Sequence, residues 1–154
     1  MAFYQMDSSA VAKRYVMETG SDWVRSLCAP TAGNIIGIAR ITFAEVASVL
    51  ARKHREGTIT QQERDHSLMM FLYDCSEQYQ ILEIDRVVVD KAVQLTQRHP
   101  LRGYDAVQLA AAAIVNQGLV ANGLPSPVFV SSDDKLCTAA ASEGLVVENP
   151  NLHV

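Results

Sequence analysis

The chain reads as an α/β protein in which a parallel sheet is covered by helices on both faces. Two observations predict this. Short apolar runs suited to buried strands, among them NIIGIAR and VFVSS, alternate with helical patterns along the whole length. An acidic residue also recurs where such a run, or a turn, hands over to a helix. These residues are Asp7 in QMDSSAVAKRY, Glu45 in RITFAEVASVL, Asp105 in LRGYDAVQLAAA and Asp133 in VFVSSDDKL. In an open α/β sheet, strand ends and helix starts meet along one edge, and ligands bind there.

Taken in order, residues 2–6 form a short strand ending at Asp7. Ser8–Met17 follows as a helix with Ala10, Val11 and Tyr15 inward, closed near Gly20, and Ser21–Leu27 as another short helix. Ile35, Ile36 and Ile38 make the second strand. Phe43, Val46, Ala47 and Leu50 recur at helical spacing, and the run Arg52, Lys53, Arg55, Glu56 ends this amphipathic helix at Gly57. Thr60 with Glu63 forms a capping box for the next helix, whose inner face is Leu68, Phe71, Leu72, Cys75 and Tyr79. QILEI is the third strand. Val89, Ala92, Val93 and Thr96 mark the inner face of a helix stopped before Pro100. Tyr104–Val115 is apolar nearly all round, as expected of a helix buried on several sides, with alanines that permit close approach to a sheet. NQGLVANGLPSP reads as a loop. VFVSS, a short helix ending at Gly144 and the strand LVVE complete the chain.

The 154 residues suit one domain with a single substantial core, and 49% apolar with 19% charged residues is ordinary for a globular protein. The start has neither a basic region nor a long apolar run, so no secretory signal is expected, and LAAAAIV is too short to span a membrane. A cytoplasmic protein is the expectation. Cys28, Cys75 and Cys137 form no C-x-x-C pair and are expected to be buried thiols. His54, His66, His99 and His153 are expected at the solvated surface, His99 with the option of facing the acidic edge. No G-x-G-x-x-G follows the first strand and no P-loop occurs, which leaves a dinucleotide or P-loop site unsupported. The net charge of −4 argues against a protein that grips nucleic acid by overall charge. A nucleic-acid substrate would need a local basic rim, drawn from Lys13 and Arg14, from Arg52, Lys53 and Arg55, or from Arg98 and Arg102.

Each of the four acids has a structural explanation. Asp7 and Asp133 can cap helices, Thr42 and Glu45 can form a capping box, and Asp105 favours the positive end of a helix. As a set they mean more, because caps can fall anywhere whereas a metal site needs several acids at one edge. Clustered carboxylates repel unless some take up protons or a cation joins them, and hard oxygen ligands suit Mg²⁺ or Mn²⁺. Ser9, Thr42 and Ser131 lie close enough to orient these carboxylates from behind. Asp133 and Asp134 are adjacent, and either can serve as the fourth acid.

The blocks DSSAVAKRY, RITFAEV, YDAVQLAAA and FVSSDDKL, in this order and spacing, resemble the four acidic blocks of the PIN domain family. The resemblance is strongest to the VapC-type toxin ribonucleases of toxin–antitoxin pairs. It implies a three-layer α/β/α fold and an Mg²⁺- or Mn²⁺-dependent endoribonuclease acting on RNA. It also implies a homodimer and a cognate antitoxin that silences the enzyme. By the same resemblance Asp7, Glu45, Asp105 and Asp133 fall on the catalytic, metal-binding acids, and Ser131 on a position where Ser or Thr is frequent. The segments 64–79 and 41–50 could line a groove for the antitoxin. A phosphatase, a DNA-directed nuclease, a receiver-like phosphoacceptor domain and a non-catalytic, metal-stabilised binding module are the alternatives.

Overall fold

The computed structural model describes residues 1–154. Its centre is a five-stranded sheet in the order β3-β2-β1-β4-β5, parallel throughout. The strands are β1 (Phe3–Met6), β2 (Ile35–Ala39), β3 (Gln80–Leu82), β4 (Val128–Val130) and β5 (Val146–Glu148). The helices are α1 (Ser8–Tyr15), α2 (Ser21–Cys28), α3 (Thr42–Arg55), α4 (Gln61–Glu77), α5 (Arg86–Arg98), α6 (Gly103–Ala121) and α7 (Asp134–Ser142). Two 3-10 turns, Pro30–Ala32 and Pro150–Leu152, were not foreseen.

The helices divide into two layers because alternate side chains of each strand point to opposite faces. Met6, Ile36, Ile38 and Val130 face α1, α2, α3 and α4, in a cluster completed by Val11, Val46, Leu50 and Phe71. Phe129 faces the other way, onto Val88, Ala92 and Leu95 of α5, Ala106, Leu109 and Ala110 of α6, and Leu136 and Ala140 of α7. This is the expected three-layer α/β/α arrangement, and each fully buried Phe or Leu contributes about 1.5–3 kcal/mol. Gly37 of β2 belongs to the second face, where an added Cβ would fall 2.4 Å from Gln5 Oε1 and 2.7 Å from the Phe3 ring.

Some local expectations fail for identifiable reasons. The inner face of α5 is Val88, Ala92 and Leu95, while Val89 and Val93 are exposed. Asp85 is its N-cap, accepting from Val88 N at 3.0 Å, and the stripe that is buried is the one that meets Ala106, Leu109 and Ala110 of α6. On α4, Phe71 and Cys75 are buried but Leu72 is exposed. The segment 116–121 continues α6 rather than forming a loop, since Gly and Asn are tolerated in the exposed last turns of a helix anchored by buried alanines. Lys13, offered as a rim cation, is buried and donates to Thr19 O at 2.8 Å. His153 stacks on Trp23 at 4.0 Å and bonds Glu148, and His99 bonds Glu143 at 2.6 Å beside Arg98, so neither histidine is freely solvated. Cys28 and Cys75 are buried free thiols, as expected, while Cys137 is half-buried. No helix is long and apolar enough to cross a membrane.

Gly20 has φ +84°, and a Cβ there would lie 2.4 Å from Pro150 O, so the turn between α1 and α2 closes against the C-terminal 3-10 turn only as glycine. Gly57 has a similar φ of +77° but open space around it. Gly57→Ala should therefore cost the left-handed penalty alone, roughly 1–2 kcal/mol. Gly20→Ala should cost at least about 1 kcal/mol more, because backbone must also move. Urea denaturation of the two variants measures the difference.

Candidate active site at the carboxyl edge of the sheet

The chain leaves β1 toward β2 on one side and returns to β4 on the other, so the strand order reverses beside β1. A crevice forms at such a reversal, outside the carboxyl ends of the strands. There lies a cavity of about 910 Å³ lined by Asp7, Glu45, Asp105 and Asp133 together. The four acids, 126 positions apart from first to last, thus share one site, as expected from the sequence. Asp134 instead accepts from Asn149 Nδ2 at 3.0 Å, so of the adjacent pair Asp133 is the one that faces the cavity.

Asp7 follows the last residue of β1 and caps α1, accepting from Ala10 N at 3.0 Å. Its Oδ1 also accepts from Ser9 Oγ at 2.6 Å and its Oδ2 from Ser131 Oγ at 2.6 Å. Ser131 in turn accepts from Asp133 N at 3.1 Å, and Ser9 from Ser132 N at 3.0 Å, which ties the β4–α7 turn to α1. Burial raises the Asp7 pKa to about 6, against the lowering effect of these three donors and with a small addition from the Glu45 charge.

Glu45 lies in the first turn of α3 and makes no capping box. Thr42 is already helical, the N-cap is Ile41 without a side-chain bond, and the Thr42 hydroxyl points inward. Gln108 explains why: its Nε2 donates to Thr42 Oγ1 at 2.9 Å and to Glu45 Oε1 at 2.8 Å. Ser8 Oγ holds the other oxygen, Oε2, at 3.1 Å. Burial raises the Glu45 pKa, Gln108 and Ser8 counter it, and the Asp105 charge adds to the rise. Asp105, half-buried in the first turn of α6, is likewise raised by burial and then by the Asp133 charge, with Arg102 opposing. Asp133 caps α7 through Leu136 N at 3.0 Å. Ser8 and Gln108 were missed in the sequence. Gln108 carried a usable clue, a polar residue three positions after Asp105 inside the most apolar helix.

Ile41 with Ala44, Ser48, Val49 and Arg52 of α3 makes a wall of the cavity, so part of the segment expected in a partner groove lines the acidic site. Arg52, Arg102 and Lys135 supply cations to the lining. Of the other rim candidates, Arg14 is engaged by Gln78, Tyr79 and Asp74, Lys53 pairs with Glu18 and Arg98 with Glu143. No histidine lines the cavity. The donor set is therefore all oxygen, and raised carboxylate pKa values mark a place where a cation would relieve both burial and repulsion. No three His, Cys, Asp or Glu side chains close on one point as a ready shell.

No protein-family model matches the chain. No curated protein matches it either. Solved structures do. A chain of VapBC2 from Rickettsia felis, solved with a DNA fragment from their promoter, gives a TM-score of 0.61 at 14% identity, covering 96% of this chain and 98% of that one. A toxin–antitoxin complex from Klebsiella pneumoniae gives 0.60 at 17%, covering 97% and 98%. VapC20 of Mycobacterium tuberculosis, a Sarcin-Ricin loop cleaving toxin, gives 0.60 at 13%, covering 93% and 96%. The chain has the PIN-like fold of VapC-type toxins.

The raised Asp7 pKa carries a stability consequence. Its carboxyl holds a proton more tightly folded than unfolded, so without a bound cation its ionisation costs nothing below about pH 4 and costs progressively more as pH rises toward about 6. At neutral pH the penalty is on the order of 3 kcal/mol. Asp7→Asn should therefore raise the melting temperature at pH 7.5 in chelator, with a smaller gain at pH 4.5. Thermal unfolding at the two pH values checks this.

Proposed function

We propose that the protein is a metal-dependent endoribonuclease and the toxin of a toxin–antitoxin pair. The observation that carries this is the meeting of Asp7, Glu45, Asp105 and Asp133, from four distant segments, in one cavity of a VapC-type fold. Asp7 and Asp105 would be the principal ligands of Mg²⁺ or Mn²⁺, with Glu45 and Asp133 completing the shell directly or through water. When bound, such an ion supplies Lewis acidity that acidifies water and neutralises phosphoryl charge. The protein's own residues do the rest. Ser9 and Ser131 hold Asp7, Ser8 and Gln108 hold Glu45, and all four act at oxygens that are not free to rotate. Arg52, Arg102 and Lys135 line the same cavity and would take the phosphates of an RNA strand that the acids alone repel.

The VapC-type neighbours include toxin–antitoxin complexes, and this supports a protein partner for this chain as well. Its landing place would be the outward face of α4, where Met69 and Tyr73 are each 60% exposed and Met70 and Leu72 stand beside them. An apolar row of this kind on one helix is an unusual surface for a chain that acts alone.

Incubation with mixed transfer and ribosomal RNA tests the activity. Discrete cuts are expected with Mg²⁺ or Mn²⁺ and none with chelator. Asp105→Asn should lower cleavage by roughly 100-fold or more with a melting temperature no lower than the parent's. Full activity in that variant would sink the assignment. Co-expression with the product of the adjacent gene should give a complex that co-purifies and loses cleavage, and Met69→Glu with Tyr73→Glu should break it. A chain that purifies alone from that co-expression would remove the toxin label and leave the nuclease reading in place.

A further inference from the structure

We propose that Tyr104, braced by Arg102, is a stacking platform for one unpaired base of the bound RNA strand, immediately beside the acids. The platform rests on the ribonuclease reading for the identity of that strand. Tyr104 lies in the first turn of α6, one residue before Asp105, and is the one aromatic residue lining the cavity. It is 44% exposed, although Tyr15 and Tyr79 are packed into the core and its margin. Its hydroxyl accepts from Arg102 Nη1 at 3.1 Å, so the ring is steadied from its edge while it stays open to solvent. Arg102 itself is exposed, as is Lys135.

The chemistry of the lining favours this occupant. Four carboxylates against three cations leave no excess positive charge to hold a polyanion, so charge alone is a weak grip. A base stacked on an exposed ring adds affinity that does not depend on net charge. Guanidinium groups also lie favourably along bases and phosphates. Only an unpaired base has a free face to offer, because in a duplex both faces are covered by neighbours. Tyr104 would therefore select unpaired over paired RNA at the position next to the cut, and it would do so through its ring and not its hydroxyl.

The test uses the full chain in chelator and a fluorescein-labelled oligoribonucleotide, single-stranded or annealed to its complement, with anisotropy as the readout. A second probe carries 2-aminopurine, whose fluorescence drops on stacking. Tyr104→Phe should bind the single strand within about 2-fold of the unmodified protein, and Tyr104→Ala should bind at least about 5-fold more weakly and lose the quenching. Duplex binding should be insensitive to both. Melting temperatures of the two variants should match the parent, and Tyr104→Leu supplies a bulkier non-aromatic control if the alanine variant does not fold. Equal binding and quenching by Tyr104→Ala would overturn the proposal, as would a loss in Tyr104→Phe as large as in Tyr104→Ala. A Tyr104-dependent gain seen with a deoxyribose strand but not with RNA would overturn it too. If no metal condition yields cleavage while Tyr104-dependent quenching persists, the ribonuclease reading falls and the platform stands. If RNA is cut but Tyr104→Ala binds as the parent does, only the platform falls.

Discussion

A carboxylate buried at the tip of the central strand constrains much of this molecule. Asp7 sits at the end of β1 with almost no solvent contact, and its charge is tolerated only because donors reach it from three places: the α1 backbone, Ser9 and Ser131. Those donors depend on the sheet register. β1 and β4 pair Met6 with Val130, which sets Asp7 directly against Ser131 on the next position. A slip of one residue would turn the apolar side chains of β4 to the wrong faces and take the hydroxyl away. Packing of the two cores and assembly of the site are thus one event.

Around that point the remaining acids are arranged by different means. Asp133 is placed by its own helix cap, Glu45 by Gln108 and Ser8, and Asp105 by the start of a helix whose alanines let it lie close on the sheet. Burial raises the pKa of Asp7, Glu45 and Asp105, and neighbouring acids add to it. The polypeptide holds these groups in an arrangement that is unfavourable by itself and that a cation would relieve. The overall charge of −4 gives no hint of the cations beside them, because Arg52, Arg102 and Lys135 are only a few of the thirteen basic residues and most of the others pair elsewhere or face away.

Much of this was legible from residues alone. The strand and helix succession was readable because apolar runs and helical stripes differ in period. Asp7, Glu45, Asp105 and Asp133 stood out because each marks a handover to a helix. Thr60 and Glu63 do form their capping box. What was misread shares a cause. The inner face of α5, the exposure of Leu72, the inward turn of Thr42 and the burial of Lys13 all depend on which neighbour a helix meets, and local spacing carries no information about that neighbour.

Sequence by itself determined the α/β succession and the place of each acid at an element boundary, since these follow from short-range periodicity, turn chemistry and residue type. Tertiary structure alone decided that Asp133 and not Asp134 faces the cavity, that Gln108 and Ser8 hold Glu45, and which three cations stand at the acids. Such contacts join residues as far apart as Asp7 and Ser131, and only the parallel register of the sheet brings them within hydrogen-bonding distance.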